Sequence, residues 1–350
     1  MIDWITAIVP FDHHTPISGG VVVSTTAEGE IEYEVTKRAV IKGSFDDQIS
    51  IRSHNYSNAP AGGAAAGRSI EIHGNPAKFL QGHNIHGTDD LRGLVTGFMH
   101  CVSEIYNTPQ TQEVIAAWEQ GRFTLRRVDV NYSWHLRSLA DVLSWIRSAE
   151  HSAHMRRRGK GELTKNGTLY FGKHSRRWGF KFYAKGHELG AHTLPVQLAD
   201  TPLFDYAQTL LRGELVLRSQ ELKRLDLANG TDWNDTTANS VFENILTQLE
   251  LNDMHTLTNE IIDQLPPRLK LVYTAWQAGQ DIRAMFPKKT FYRHRNALLP
   301  HGVDIAVKQP RDSSRDNVVP LVRVLEAVPA EIPQWMYDQN LIFIPPKKSA

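Results

Sequence analysis

FTLRRVDVNYSW, residues 123–134, and WGFKFYAK, residues 178–185, decide the fold class. Side chains along a strand alternate between two faces. In the second stretch Trp178, Phe180, Phe182 and Ala184 therefore point one way, and Lys181, Tyr183 and Lys185 the other. In the first, Val128, Val130, Tyr132 and Trp134 form the apolar side and leave Arg127, Asp129 and Asn131 opposite. The same rule separates Ile70 and Ile72 from Glu71 and His73 in RSIEIHG, and Leu215 and Leu217 from Arg212, Glu214 and Arg218 in LLRGELVLR. Four strands thus offer one polar face that carries acids, bases and a phenol.

GGVVVSTT, EIEYEVTKRAVIKG, DQISIRS and TLYFGK also have the β-branched, alternating texture of antiparallel strands. Asp89 to Tyr106 spaces its apolar residues at three and four, which predicts an amphipathic helix with an acidic first turn, and Leu139 to Ile146 predicts another. SNAPAGGAAAG, residues 57–67, has almost nothing large to bury and predicts a flexible surface loop. After Thr237 the periodicity becomes helical, with a break at Pro266–Pro267. The expected class is α+β: an antiparallel-rich curved sheet with flanking helices over residues 1–235, then a mainly helical region over 236–350. A length of 350 residues suits two domains.

Composition excludes several classes. With a net charge of +1, 41% hydrophobic and 22% charged residues, the chain is an ordinary globular one. No apolar run is long enough to span a membrane, and MIDWITAIVPFDHH carries an aspartate where a signal peptide needs positive charge, so a cytoplasmic location is expected. A single cysteine, Cys101, leaves any metal to oxygen or imidazole ligands. Locally the balance is very different. Residues 156–185 hold ten lysines and arginines, Arg176 and Arg177 among them, against Glu162 alone. Tyr170, Phe171 and Trp178 lie between those charges, as base-stacking groups would, so nucleic acid is the expected partner. A phenol flanked by Lys181 and Lys185 is better stabilised as phenolate, which predicts a lowered pKa and a nucleophilic Tyr183. NPAKFLQGHNIHGTDD, residues 75–90, is too polar for a core and predicts a structured loop at the site, bringing Lys78, His83 and Asn84 to the DNA. His83 and His86 are a weak metal signal without HExxH or a His-hydrophobe-His triplet.

Taken in order, NPAKFLQGHNIHGTDD, RRVDVNYS, FKFYAKGHEL, LLRGELVLRSQELKRL, KKTFYRHRNALLPHGVDI and NVVPLVRV resemble the gene II replication proteins of filamentous phages and related plasmids. The resemblance covers about residues 70–325 and implies an initiator distantly related to the tyrosine-dependent HUH endonucleases. Such proteins nick the plus strand of duplex phage DNA at the origin, leave a 3′-hydroxyl primer for rolling-circle synthesis and rejoin the displaced strand. It puts the nucleophile on Tyr183 with Lys185 beside it, the Arg-x-Asp strand on Arg127 and Asp129, an acid on Glu188, and the Arg-x-Glu strand on Arg212 and Glu214. It also implies Mg²⁺ or Mn²⁺, for which Asp129, Glu214, Glu188 and Glu71 are the oxygen candidates, and host helicase and polymerase as partners in the bacterial cytoplasm. In AWQAGQDIRAMFPKKTFYRHRNALL a short helix, a turn at Pro287 and a basic helix with Lys288, Lys289, Arg293 and Arg295 suit a helix-turn-helix in the major groove of duplex origin DNA. Two other functions fit parts of the sequence. A non-catalytic, sequence-specific DNA-binding regulator would need neither Tyr183 nor the acids, and a metal-dependent nuclease would cleave with water.

Overall fold

The computed structural model describes residues 1–345 apart from 46, 57–66, 192–193, 252–261, 263, 279, 302, 304, 307–323 and 326–327. The glycine- and alanine-rich loop expected over 57–67 lies almost wholly outside the described residues. The strands in chain order are β1 (Ile2–His13), β2 (Val21–Thr25), β3 (Ile31–Thr36), β4 (Ala39–Lys42), β5 (Gln48–His54), β6 (Gly67–Gly74) and β7 (Thr124–His135). They continue with β8 (Ala153–Met155), β9 (Gly159–Lys160), β10 (Glu162–Leu163), β11 (Leu169–Phe171), β12 (Trp178–Ala184), β13 (Leu210–Arg218) and β14 (Leu249–Leu251).

Nine of these form one antiparallel sheet in the order β10-β11-β12-β13-β7-β1-β6-β5-β4. With helices on it, this is the α+β class expected from the alternation. One sheet face is covered. The helix Leu91–Ile105 begins at Asp90, whose side chain accepts from the Gly93 N–H, and buries Leu91, Leu94, Val95, Phe98, Met99 and Val102. Those six lie on one stripe, and each such burial contributes roughly 1.5–3 kcal/mol. Asp90 is the cap, and the first turn itself has no acid, unlike the expected acidic turn. The second expected helix runs Leu139–Ser152.

The other face of the central strands is polar and only partly covered. Register fixes what meets there: Lys181 lies opposite Glu214, Tyr183 opposite Arg212, Glu214 opposite Asn131 and Arg218 opposite Arg127. β1 was not among the expected strands, yet it runs 12 residues through the middle of the sheet.

The helix Thr237–Leu246 lies against the sheet, its Phe242 ring 5.3 Å from Phe180 and 4.8 Å from Tyr132. The chain also returns late to the sheet. Ala330 N–H donates to Ser133 O, and Met336, Leu341 and Ile342 are buried with Ile85, Leu203 and Leu210. Between these contacts, the helices Pro267–Gln277, Ile282–Met285 and Lys288–Leu298 surround their own apolar cluster, which includes Val272, Tyr273, Trp276, Ile282, Phe291 and Leu298. Among the described residues, no helix is long and apolar enough to cross a membrane.

Candidate active site

A cleft of about 770 Å³ opens over the polar face where β12, β13, β7 and β1 lie side by side, and Tyr183 stands in its wall. Tyr183 is 8% exposed and its hydroxyl donates to Glu214 Oε2 at 3.1 Å. The other oxygen of Glu214 holds Lys181 Nζ at 2.9 Å. Arg127 grips Asp129 with both ends of its guanidinium, at 2.8 and 2.6 Å, and sits 5.4 Å from the centre of the Trp4 ring.

Asp3 and Trp4 both line the cleft, although they are consecutive. The register explains this: Ile2 pairs with Val130 and Ile5 with Val128, so β1 spends three residues where β7 spends two. That bulge turns two successive side chains to the same side, a common device beside active sites. Asp3 accepts from the side-chain amides of Asn84, at 3.1 Å, and Asn75. Asn75 in turn caps the helix Pro76–Gln81, which ends at Gly82 in the left-handed conformation (φ 80°) and releases the chain into the loop over the sheet. The polar stretch 75–90 is thus a short capped helix followed by a loop.

Arg212 anchors that loop from beneath. It is fully buried, donates to the backbone carbonyls of Asn84 and Ile85, and holds Ser133 Oγ at 3.0 Å. Lys185, also fully buried, starts the helix Lys185–Ala191 directly after β12 and holds Asn84 Oδ1 at 2.6 Å and Glu188 Oε2 at 2.5 Å.

The electrostatics invert one expectation. The Tyr183 pKa is raised well above that of an ordinary phenol, first by burial and then by the Glu214 carboxylate. The two lysines that should lower it are already neutralised, Lys181 by Glu214 and Lys185 by Glu188. Burial lowers the Lys185 pKa to about 8. Asp129 is pushed up to about 7, by burial and by Glu214, against the pull of Arg127. Asp3 is raised too, by burial and then by Glu214. The cleft therefore gathers buried carboxylates that repel one another.

The sequence matches the N-terminal family of the replication-associated gene II protein over residues 1–236 and the C-terminal family of the same protein over residues 257–342. It is 40% identical over 348 residues to the replication-associated gene II protein of Enterobacteria phage I2-2, across 98% of each chain. The chain belongs to the gene II replication initiator family. The C-terminal match of this gene II family member covers both the helical cluster and the segment that returns to the sheet.

Of the residues expected at the site, the fold of this family member brings together Tyr183, Asp129, Glu214, Glu188, Asn84 and Lys78. Lys78 is tied to Asp47 at 3.0 Å. Three expectations are corrected. Glu71 does not line the cleft and is held by Arg38, Arg52 and Arg126 at 3.2, 2.6 and 3.5 Å, and Arg52 and Arg38 lower its pKa despite burial. His83, expected at the DNA, is 1% exposed, its Nε2–H donating to Leu341 O at 2.7 Å while burial lowers its pKa to about 4. Lys185 has no exposed surface with which to touch a substrate, so it positions Asn84 and Glu188. Arg176 and Arg177 are both exposed, but Arg177 is paired with Glu221 at 2.8 Å. In the helical cluster, Pro287 precedes the basic helix as expected, with Lys288, Lys289 and Arg293 exposed and Arg295 half-buried.

Among the described residues, no three His, Cys, Asp or Glu side chains converge into a ready ligand set. The donor chemistry nevertheless fits a hard divalent ion. Asp3, Asp129 and Glu214 are buried oxygen donors on one cleft, two of them with raised pKa values that a cation would relieve.

Proposed function

We propose that this chain starts rolling-circle replication of a phage genome by nicking one strand of origin DNA through Tyr183 and later rejoining it. The observation that carries the reading is the Tyr183–Glu214 hydrogen bond inside the acid-lined cleft of a gene II family chain. Because burial raises the Tyr183 pKa, a resting phenolate is unfavourable, and the proton must leave as the phosphorus–oxygen bond forms. Glu214 Oε2 already accepts that hydrogen bond and serves as the base. The tyrosyl oxygen attacks the scissile phosphorus, the bond to the 3′-oxygen breaks, and the strand is left with a 5′-phosphotyrosine and a 3′-hydroxyl once the leaving oxygen takes a proton from water. The phosphotyrosine keeps the free energy of the broken bond, so a 3′-hydroxyl can reverse the reaction without ATP.

Mg²⁺ or Mn²⁺ held by Asp3 and Asp129, with Glu214 and Glu188 beside them, would supply positive charge to the phosphate oxygens. Arg212 and Lys185 keep the loop and Glu188 in place below. The helix Lys288–Leu298 turns Lys288, Lys289 and Arg293 outward and takes duplex origin DNA. Host helicase would unwind the duplex and host polymerase would extend the primer. The deciding experiment incubates the protein with a single-stranded origin oligonucleotide and Mg²⁺ and maps any covalent adduct by mass spectrometry. An adduct on Tyr183 is expected. Nicking without an adduct would mean hydrolysis by water, and binding without cleavage would mean a regulator.

A further inference from the structure

Beside the cleft lies a second groove, of about 620 Å³, bordered by Arg126, Arg127, Lys173, His174, Arg176 and Arg218 with no carboxylate in its lining. Arg127 borders both hollows, so groove and cleft are neighbours on either side of one guanidinium. Three of its cations have acidic partners outside the lining: Arg126 with Glu71 at 3.5 Å, Arg127 with Asp129 at 2.6 Å, and Lys173 with Glu162 at 3.4 Å. Among the described residues, Arg176 and Arg218 have no ion-pair partner. Arg218 Nη1 is moreover buried without a hydrogen-bond partner. A buried guanidinium nitrogen left unsatisfied is costly, so its persistence marks a place for an acceptor.

We propose that this groove is a phosphate subsite for single-stranded DNA, in which Arg218 and Arg176 hold a backbone phosphate of the strand whose scissile bond lies at Tyr183. The inference rests on the preceding assignment of the cleft to DNA cleavage. Three features favour a strand over a free anion. The groove is open and shares Arg127 with the cleft. Arg218 lies four residues along β13 from Glu214, roughly 13 Å at about 3.3 Å per residue, which a backbone spans and one phosphate ion does not. Trp4, which lines the cleft beside Arg127, offers an aromatic ring on which a base can stack. Burial and the charge of Arg127 both lower the Arg218 pKa, a penalty that a bound phosphate reverses.

The test measures binding of oligodeoxythymidylate strands of decreasing length to the full chain in EDTA, where cleavage does not intervene. Arg218→Gln, Arg176→Ala and the double variant are compared with the parent over a range of salt concentrations. Arg176 is exposed, so its replacement leaves the fold intact even if Arg218→Gln disturbs it. The slope of log K against log salt should fall by roughly 0.7 for each phosphate no longer neutralised. Shortening the strand should weaken the parent until it matches the double variant, which is itself insensitive to the missing nucleotides. Unchanged slopes in both single variants overturn the proposal. So does a loss seen only with duplex of the same length, or displacement of inorganic phosphate without any change in strand binding. If the slopes fall but no adduct ever forms with origin DNA, the groove stands and the nicking assignment falls. An adduct with unchanged slopes means the reverse.

Discussion

Two sets of buried carboxylates lie on the same sheet or on the helix that follows β13, and behave oppositely. Glu71, between Arg38, Arg52 and Arg126, and Glu221, between Arg177 and Arg224, have lowered pKa values. Asp3 and Asp129, on the cleft with Glu214, have raised ones. Burial is common to both sets, and charge compensation separates them. Carboxylates given more arginine than they need hold the fold. Carboxylates crowded together and short of cations are poised to receive one.

The comparison breaks most visibly if the two sets exchange roles. Tyr183→Phe and Glu214→Gln should each reduce adduct formation by at least ~10³-fold with thermal stability near that of the parent, since the ring and the amide preserve shape. Glu71→Gln should do the reverse, retaining adduct formation on a denaturing gel while losing about 1–3 kcal/mol in urea unfolding as its arginines lose their acceptor. Normal nicking by Glu214→Gln, or its loss in Glu71→Gln at a temperature where the protein is folded, would erase the distinction.

A second measurement sharpens it through pH. Asp129 is raised to about 7, so the folded state binds a proton that the unfolded state has released above about pH 4. Stability from this group therefore falls as pH rises from about 4 through 7. Mg²⁺ should restore a few degrees of Tm at pH 8 and almost none at pH 5, and Asp129→Asn should flatten both responses. Equal Mg²⁺ shifts at the two pH values would detach Asp129 from the ion.

The smallest effect belongs to the helical cluster. Replacing Arg293 and Arg295 by alanine should lower the salt slope of duplex binding by ~0.9 for each phosphate the helix no longer holds, with single-strand cleavage preserved. Equal loss of single-strand cleavage would make that helix part of the catalytic machinery.

Much of the site was legible in the alternation of strands. Parity alone placed Tyr183, Asp129 and Glu214 on one face, and the helices Leu91–Ile105 and Lys288–Leu298 followed from spacing and from Pro287. Asp3 and Trp4 escaped because their segment was not expected to be a strand, and the bulge would have hidden one of them even if it had been. Strict alternation would have sent one of them to the core. Glu71 was misplaced for a different reason: it has the right parity, but its arginines come from elsewhere in the chain, and pairing at a distance leaves no periodic trace. The expected phenolate failed likewise, because the two lysines beside Tyr183 were visible while their pairing with Glu214 and Glu188 was not.

The contact between His83 and Leu341 joins residues 258 positions apart, and Phe343 N–H donates to Gln81 beside it. The loop that presents Asn84 is thus fastened by a carbonyl made late in synthesis. At about 5–20 residues per second, a ribosome that has finished His83 takes roughly 13–50 s to reach Leu341. The sheet can close only once Arg218 has been made, and from then until Leu341 one wall of its cleft still lacks its fastening.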